Sequence, residues 1–301
     1  MQKTLISIIG STGIGKTKLA IEMAKHFGTE IISCDSRQFF KEMKIGTATP
    51  TDEELAQAKH HFIGHLSVQD YYSIGQYEED ALEKIEEIFE KNDFAVLVGG
   101  SMMYEKAVVE GLNDLPEANA ENQEKLQKIL DEEGLEKLQE ILKNLDEEYY
   151  NVVHKENPRR LLRAIDVIWQ TGRKYSEIIA EPKHKRDFKV IRIGITAPRE
   201  IMYERINLRV DKMLEKGLID EVKSLTKYQN FVPLQTVGYT EIFKYLEGTW
   251  DLDFAIEEIK KNSRRYAKRQ ETWNRKVENV TWLPYDYSEE QLHEILSKIE
   301  K

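Results

Sequence analysis

Short apolar runs and amphipathic stretches alternate over the first hundred residues of the chain. The runs at 3–9, 30–34 and 94–98 are continuous enough to predict strands that are buried in a sheet. Between them, apolar residues at helical spacing predict helices over 16–27 and 75–92. Strands that alternate with helices normally form a parallel sheet crossed by helices, so this part of the chain predicts an α/β core.

A different pattern follows the first hundred residues. From about residue 117 to 181 the chain shows only helical signals. A strand-like run returns at 189–196, and helical periodicity then dominates as far as about residue 276. An apolar piece at 280–283 predicts a last strand, and an amphipathic stretch at 288–300 predicts a last helix. The simplest architecture for this order is an α/β core interrupted by a helical insertion.

The first predicted strand runs directly into GSTGIGKT at residues 10–17, which matches the phosphate-binding pattern G-x-x-x-x-G-K-[ST]. Glycines let successive backbone N–H groups point at one anion, and the start of a helix adds its positive end. Lys16 supplies a point charge, and the Thr17 hydroxyl is placed to bind Mg²⁺. The sequence therefore predicts a site for a diphosphate or triphosphate rather than an empty turn. Its predicted ligands are Gly10, Ser11, Thr12, Gly13, Ile14, Gly15, Lys16 and Thr17.

Two features distinguish this loop from that of an ordinary ATPase. The run at 94–100 ends in glycines where an ATPase strand would carry an acidic residue, and no arginine finger can be picked out. The strand that does end in an acid is 30–34, which precedes Asp35. Ligands of parallel sheets lie at the carboxyl ends of the strands, so we expect Asp35 and the loop to face one crevice. Asp35 would then bind Mg²⁺, accept a proton or cap a turn, and Arg37 and Gln38 suit phosphates or base edges.

Taken together, these elements predict the fold class and the domains. We expect an α/β, P-loop NTPase-like core with a parallel sheet flanked by helices, plus an all-helical insertion domain. The core is discontinuous and comprises residues 1–112 and 186–301, and the insertion comprises residues 113–185. A chain of 301 residues is long enough for about two domains.

Charge is unevenly distributed along the chain. The 44 Lys and Arg against 54 Asp and Glu give a net charge of −10. Residues 114–150 are strongly acidic, whereas residues 154–192 and 259–276 carry a large basic excess. Such basic segments can bind a polyanion locally, although a single basic run is more often a solvated helix face.

The remaining composition excludes several classes of protein and site. Cys34 is the only cysteine, which excludes a disulfide framework and a multi-cysteine zinc site. His60, His61 and His65 lack the pattern of a zinc site, so we expect a structural or substrate-proximal role for them. No apolar run approaches the roughly 20 residues of a membrane span. The N-terminus lacks the pattern of a signal peptide, and a cytoplasmic location is therefore expected.

Several blocks of sequence extend this picture over nearly the whole chain. In chain order they are GSTGIGKT (10–17), IISCDSRQFFKEMKIGTATP (31–50), HHFIGHL (60–66), VLVGGSMMY (96–104), NPRRLLRAIDV (157–167), RVDKMLEKGLIDEV (209–222), LQTVGYTEI (234–242) and RRYAKRQETW (264–273). In this order they resemble the tRNA dimethylallyltransferase family, also called isopentenyl-tRNA transferases. Ordered blocks are far more specific than the phosphate loop alone.

The resemblance implies a particular reaction. A dimethylallyl group passes from dimethylallyl diphosphate to N6 of the adenosine on the 3′ side of the anticodon in tRNA, and diphosphate is released. The loop would then hold the diphosphate of the allylic substrate rather than ATP, with Mg²⁺ as cofactor. Asp35 would accept the proton of the adenine amine, and Ser101 stands beside the reacting centre, where the family has a threonine. The implied catalytic residues are Asp35, Ser101, Lys16 and Thr17, with Thr17 also the metal ligand.

A tRNA substrate also accounts for the basic segments, since Lys and Arg supply much of the affinity for nucleic acids. We expect the helical insertion to contact the anticodon arm. The target base must be flipped out of its loop, so we also expect a channel that admits adenine from one side and the diphosphate from the other. A monomer suits an enzyme that clasps a tRNA arm. The resemblance places tRNA contacts on Asp35, Ser36, Arg37, Gln38, Arg159, Arg160, Leu161, Leu162, Arg163, Gln235, Thr236, Val237, Gly238, Tyr239, Thr240, Lys268, Arg269, Gln270, Trp273 and Arg275.

Two rival functions remain open at the level of sequence. A P-loop kinase acting on a nucleoside or other small metabolite would use the same loop, but it would leave the basic segment 259–276 without a role. An RNA-binding protein with a nucleotide-gated switch would use that segment but would give Asp35 no chemistry. Transfer of label from dimethylallyl diphosphate to tRNA without ATP separates the first reading from both rivals.

Overall fold

Six parallel strands form one sheet in the computed structural model, which describes residues 2–300. The strands are β1 (Thr4–Gly10), β2 (Ile31–Ser33), β3 (His60–His61), β4 (Phe94–Val98), β5 (Lys189–Thr196) and β6 (Val280–Pro284). Their order across the sheet is β3-β2-β4-β1-β5-β6. β1 is therefore central, and it pairs in parallel with β4 on one side and with β5 on the other.

Residues 2–300 form fourteen α-helices, numbered in chain order. They are α1 (Lys16–Phe27), α2 (Asp52–Leu55), α3 (Ile74–Phe89), α4 (Met102–Glu110), α5 (Ala120–Glu133), α6 (Leu135–Leu145), α7 (Glu147–Val152), α8 (Pro158–Thr171), α9 (Tyr175–Ala180), α10 (Arg199–Glu215), α11 (Leu218–Ser224), α12 (Tyr239–Leu246), α13 (Leu252–Asn274) and α14 (Glu289–Ile299). Two 3₁₀ turns, Thr226–Tyr228 and Val232–Leu234, lie between α11 and α12. Within residues 2–300, no helix is long and apolar enough to cross a membrane.

The central strands are buried on both faces, which explains their continuous apolar sequences. Successive side chains of a strand point to opposite faces of the sheet. Leu5 and Leu97 accordingly join one hydrophobic cluster, while Ile6 and Val96 join a second cluster on the other face. The sheet therefore has a hydrophobic core on each face.

The chain divides into two compact units. One contains the sheet and is formed by the described residues up to Val109 and from Arg186 onward. The other spans Glu110–Lys185 and contains α5 to α9. The first boundary thus lies slightly before the residue 112 expected from the sequence, because α4 ends at Glu110.

The helical unit has its own core and its own polar anchor. Leu142 and Leu161 are fully buried in its hydrophobic cluster. The carboxylate of Asp166 is also fully buried, where Arg163 donates to it at 3.3 Å and Asn122 at 3.0 Å. Because a buried carboxylate without partners is very costly, these bonds fix the position of α8 within the unit.

The predicted elements of the sheet unit are present with small shifts at their ends. The sequence did not predict α2, α4 or β3. β3 has only His60 and His61, so no alternation of apolar and polar residues could reveal it. Its pairing with Ile31 and Ile32 places this histidine segment at the edge of the sheet.

Candidate active site

The glycine-rich loop between β1 and α1 has the backbone shape that its sequence predicts. Gly13 and Gly15 have φ angles of 76° and 115°, which residues with a side chain rarely adopt. A Cβ atom at Gly10 would lie 2.9 Å from the carbonyl oxygen of Ile195 on β5. Glycine is therefore required at position 10 for close packing and at positions 13 and 15 for backbone conformation.

Lys16 is folded back into this loop. Its Nζ donates to the carbonyl oxygens of Gly10 at 3.0 Å and Ser11 at 2.9 Å. Burial lowers the pKa of Lys16 to about 8, against the opposing attraction of Asp35. The ammonium group is thus held, largely charged at neutral pH, where a phosphate would meet the loop.

Asp35 lies two residues after the end of β2, beside the turn that follows β4. A Cβ atom at Gly100 would be 2.8 Å from its Oδ2 atom, and one at Gly99 would be 2.6 Å from its backbone nitrogen. The two glycines therefore make room for the carboxylate that ends the neighbouring strand. This explains why β4 ends in glycines where the strand of an ATPase would carry its acid.

The electrostatic surroundings of Asp35 connect it to the phosphate loop. Both Lys16 and Arg209 interact with its charge. Its Oδ1 accepts a hydrogen bond from the backbone N–H of Arg37 at 3.2 Å. The carboxylate and the loop thus face one crevice, as the positions of their strands predicted.

Ser101 joins the same crevice at the start of α4. Its hydroxyl accepts from the backbone N–H of Ser36 at 3.0 Å and lies 2.8 Å from the Ser36 hydroxyl. One turn further, the buried Glu105 accepts from Ser7 at 2.8 Å and from Arg192 at 3.1 Å. These bonds anchor α4 to β1 and β5, so Ser101 has a fixed position next to Asp35.

Two arginines of α10 complete the positive side of the crevice, and the sequence reading missed both. Arg205 donates to the carbonyl oxygen of Gly13 at 3.0 Å. Arg209 donates to the carbonyl oxygen of Thr47 at 3.2 Å, and burial lowers its pKa although Asp35 opposes the shift. Their spacing places them on one face of the helix, which is the only local signal that could have found them.

Glu221 on α11 holds the segment that receives Arg209. Its carboxylate accepts from the backbone N–H groups of Lys44, Ile45 and Gly46 at 2.9, 2.7 and 2.9 Å. The buried Tyr239 donates to the same carboxylate at 2.6 Å. The segment fixed in this way offers carbonyl oxygens to Gln38 as well as to Arg209: the Gln38 amide donates to Thr47 and Ala48, each at 3.2 Å.

The long helix α13 closes the crevice from another direction. Gln270 is fully buried, accepts from the backbone N–H of Thr12 at 2.8 Å and donates to the carbonyl oxygen of Gly100 at 2.8 Å. Tyr266 donates to the same carbonyl oxygen at 2.8 Å, and burial raises its pKa to about 12. One helix therefore ties the phosphate loop to the glycine turn beside Asp35.

A shallow groove on the outer side of α13 contains many of the basic residues of this helix. It has a volume of about 420 Å³ and combines one aromatic ring with a set of cations. Its lining residues are Arg265, Lys268, Arg269, Thr272, Trp273 and Lys276. Basic side chains interleaved with an aromatic ring are suited to a nucleic acid backbone and its bases.

Comparison with known proteins decides the family. A model of the IPP transferase family matches residues 38–277. The tRNA dimethylallyltransferase of Christiangramia forsetii is 49% identical over 300 residues, which is 99% of each chain. This chain belongs to the IPP transferase family.

Further members support the assignment in sequence and structure. The tRNA dimethylallyltransferase 1 of Bacteroides fragilis is 46% identical over 298 residues, 99% of this chain and 98% of its own. The crystal structure of the tRNA isopentenylpyrophosphate transferase of Bacillus halodurans superposes with a TM-score of 0.73 at 36% identity, covering 99% of this chain and 96% of that one. A eukaryotic dimethylallyltransferase, described as acting on tRNA, gives 0.83 at 26% identity over 98% of this chain and 79% of its own.

Within this IPP transferase, several residues expected to contact tRNA have no exposed side chain. Leu161 is packed in the core of the helical unit, and Gly238 and Tyr239 are buried at the start of α12. The side-chain amide of Gln270 is hydrogen-bonded to the loop and to the glycine turn. These four residues are therefore buried within their own units, and their contact with tRNA stays a prediction. When a whole segment resembles a family, the resemblance does not show which of its side chains are buried.

The other predicted tRNA-contacting residues keep exposed or partly exposed side chains. Arg159 and Arg160 are exposed at the start of α8, and Arg163 is partly held by Asp166. Gln235 is exposed in the segment before α12. The remaining residues with accessible surface are Asp35, Ser36, Arg37, Gln38, Leu162, Thr236, Val237, Thr240, Lys268, Arg269, Trp273 and Arg275.

The histidines form no metal site. Within residues 2–300 no three side chains of His, Cys, Asp or Glu come together to hold a metal ion. His61 lies 2.5 Å from a carboxylate oxygen of Glu30, and His65 packs edge-on against Phe39. Cys34 is buried, and burial raises the pKa of its thiol, which makes it a poor nucleophile.

Proposed function

We propose that this chain transfers a dimethylallyl group from dimethylallyl diphosphate to N6 of the adenosine on the 3′ side of the anticodon in tRNA, releasing diphosphate. The observation that carries the proposal is the placement of the Asp35 carboxylate between a phosphate loop and a glycine turn. A general base beside an anion site fits an alkyl transfer in which a diphosphate leaves carbon. Family membership supports the same reaction.

The diphosphate would occupy the loop at residues 10–17. Backbone N–H groups of the loop, the start of α1 and the Lys16 ammonium all stabilise negative charge there. As the bond between the allylic carbon and the diphosphate oxygen breaks, the charge on the leaving group increases, and these groups stabilise it further. Arg205 holds the loop in shape through Gly13.

The incoming nucleophile is the exocyclic amine of adenine, whose lone pair is delocalised into the ring. A carboxylate that accepts a hydrogen bond from this amine raises its reactivity. When the new bond between nitrogen and carbon forms, Asp35 takes the proton. The hydroxyls of Ser101 and Ser36 lie 2.8 Å apart and orient the groups beside that carboxylate.

Mg²⁺ is the cofactor that we propose for the diphosphate. The hydroxyl of Thr17 has no hydrogen-bond partner among residues 2–300, and Mg²⁺ is normally bound by few protein oxygens together with phosphate oxygens. The donor set therefore fits the ion, with Thr17 as its protein ligand. Bound there, Mg²⁺ would neutralise charge that develops on the leaving diphosphate.

The tRNA anticodon stem-loop is the proposed macromolecular substrate. The basic groove of α13 and the exposed arginines at the start of α8 are the surfaces that suit its phosphates. The target adenine must be flipped to reach Asp35, and a channel through the core stays a prediction. We also propose that a single chain acts alone in the cytoplasm, where its tRNA substrate is found.

A label-transfer assay tests the proposal. Purified protein is given radiolabelled dimethylallyl diphosphate, Mg²⁺ and bulk tRNA, without ATP. We expect label in the RNA and release of unlabelled diphosphate. Consumption of ATP with unmodified RNA would instead support the kinase, which no specific feature of the site favours.

A further inference from the structure

Tyr266 on α13 presents a partly exposed aromatic ring beside the glycine turn that makes room for Asp35. Its hydroxyl donates to the carbonyl oxygen of Gly100 at 2.8 Å, and a Cβ atom at that same glycine would lie 2.8 Å from Oδ2 of Asp35. The tyrosine and the carboxylate are thus neighbours of one residue in the turn. The reaction proposed above uses the carboxylate but gives the ring no part.

The hydroxyl of Tyr266 is unsuited to acid–base chemistry of its own. Burial raises the pKa of Tyr266 to about 12, and the charge of Asp35 adds to this shift, so the phenol stays protonated near neutral pH. The carbonyl oxygen of Gly100 also accepts from Gln270 at 2.8 Å. The turn is therefore held twice, and loss of the Tyr266 hydroxyl alone leaves one bond in place. What Tyr266 offers to a ligand is the flat face of its ring.

Polar side chains fix the stretch of α13 that carries this ring. Asn262, Tyr266 and Gln270 are spaced four residues apart and therefore lie on one face of the helix. Asn262 donates to the buried Glu241 at 2.8 Å, and Gln270 is fully buried and accepts from the Thr12 N–H at 2.8 Å. The helix is thus anchored one turn before the ring and one turn after it, so little conformational freedom is lost when a ligand stacks there.

The same ring also contacts the basic groove of α13. The guanidinium of Arg269, which is exposed in that groove, lies 5.6 Å from the centre of the Tyr266 ring. Tyr266 therefore touches both the surface proposed for RNA phosphates and the turn beside the proposed general base. A base that is flipped out of the anticodon loop loses the stacking with its neighbours. A fixed aromatic ring on its way to Asp35 can replace that stacking.

We propose that Tyr266 is the platform on which the flipped adenine stacks, with the exocyclic amine directed at Asp35. This inference rests on the proposed function, because it takes adenine as the base that enters the site. Stacking on the ring fixes the plane of the adenine, and the hydrogen bond to Asp35 fixes its amine, so the nitrogen faces the allylic carbon at the loop. Because every base has a flat face, Tyr266 holds the base while Asp35 selects the amine.

The fluorescence of 2-aminopurine tests the stacking without any transfer. This base replaces the target adenine in an anticodon stem-loop RNA, and its emission rises when it is unstacked and is quenched when it stacks on a ring. At saturating protein, we expect low emission with the unmodified protein and with Tyr266→Phe. Emission with Tyr266→Leu, which removes the platform, should be at least about twofold higher. Equal or lower emission with Tyr266→Leu would overturn the proposal.

The rate of transfer separates the ring of Tyr266 from its hydroxyl. Tyr266→Leu should lower kcat/KM for the stem-loop about tenfold, as for loss of one base–aromatic stack, and leave the affinity for dimethylallyl diphosphate unchanged. Tyr266→Phe should stay within about threefold of the unmodified protein. If the phenylalanine variant is as impaired as the leucine variant, the residue acts by bonding the glycine turn, and the platform is wrong. If the unmodified protein transfers no label, the proposed function fails, but the fluorescence still decides whether Tyr266 stacks on the target base.

Phe254→Leu is the matched control. Phe254 lies near the start of the same helix, is 47% exposed and packs edge-on against Trp250. Its replacement also removes an aromatic ring from α13 but leaves the crevice unchanged, so neither the emission nor the rate should change. A change as large as that caused by Tyr266→Leu would trace the effect to a disturbed helix and would also overturn the proposal.

Discussion

The crevice around Asp35 and the outer groove of α13 belong to the same unit but hold their charged groups in opposite ways. In the crevice, Lys16 and Arg209 are only partly exposed and donate to backbone carbonyl oxygens. In the groove, Lys268 and Arg269 are exposed. The crevice is arranged before its ligand arrives, as catalysis of charge separation requires. Exposed charges of this kind can attract a polyanion without fixing it, which suits the RNA that we propose as substrate.

α13 is where the two regions meet. Its inner face uses Gln270 and Tyr266 to hold the crevice, and its outer face carries the groove. Substitutions on the two faces of one helix should therefore separate effects on the reaction from effects on RNA binding.

Lys16→Met should cause the largest loss in the crevice. It removes the charge closest to the predicted diphosphate while keeping most of the side-chain volume. We expect kcat/KM for dimethylallyl diphosphate to fall about 10²–10³-fold, as for loss of one preorganised donor. The dissociation constant for tRNA, measured by filter binding, should stay unchanged. A loss of RNA affinity of similar size would contradict the separation of the two regions.

The pKa of Lys16 predicts a pH dependence in the crevice alone. Because burial lowers this pKa to about 8, the lysine loses its charge as the pH rises through that value. The affinity for dimethylallyl diphosphate should then fall above pH 8, by up to about tenfold for each further pH unit. Titration of the Lys16→Met variant supplies the baseline and should lack this decline. An equal decline in both proteins would assign the effect to another group.

Gln270→Ala should lower kcat about tenfold. It leaves the Thr12 N–H and the Gly100 carbonyl oxygen without a partner, so the loop and the glycine turn lose their connection. We expect a lower kcat with nearly unchanged RNA affinity. Thr272→Ala, on the outer face of the same helix, is the control and should keep full kcat. A wild-type kcat for Gln270→Ala would show that the connection is dispensable.

Lys268→Ala should give the smallest effect, and on the groove only. We expect a few-fold loss of tRNA affinity and a decrease of about one in the slope of log affinity against log salt. KM for dimethylallyl diphosphate should not change. An unchanged salt dependence would mean that this lysine does not contact an RNA phosphate.

The sequence predicted most of the sheet because its strands are buried. β1 and β4 are continuous apolar runs that end in glycine, and such runs have few other interpretations. β3 escaped because two residues carry no periodicity. The phosphate loop and Asp35 were predicted from a local motif and from the rule that ligands meet strand ends.

At the site, the contacts that could not be predicted from the sequence join residues that are far apart in the chain. Arg205 meets Gly13 only after β5 has brought α10 beside β1, and no local pattern contains that information. Tyr239 and Gln270 were expected to contact RNA because they lie in segments that resemble those of the family. The structure instead places their polar atoms on Glu221 and on the loop.

The central claim is that Asp35 accepts the proton of the adenine amine while the loop holds the leaving diphosphate. Single-turnover transfer by Asp35→Asn tests it most directly, since asparagine keeps the shape and can still accept from the Arg37 N–H. The account predicts that the rate falls about 10²–10⁴-fold while the affinities for tRNA and dimethylallyl diphosphate stay close to those of the unmodified protein. A rate near that of the unmodified protein would contradict it.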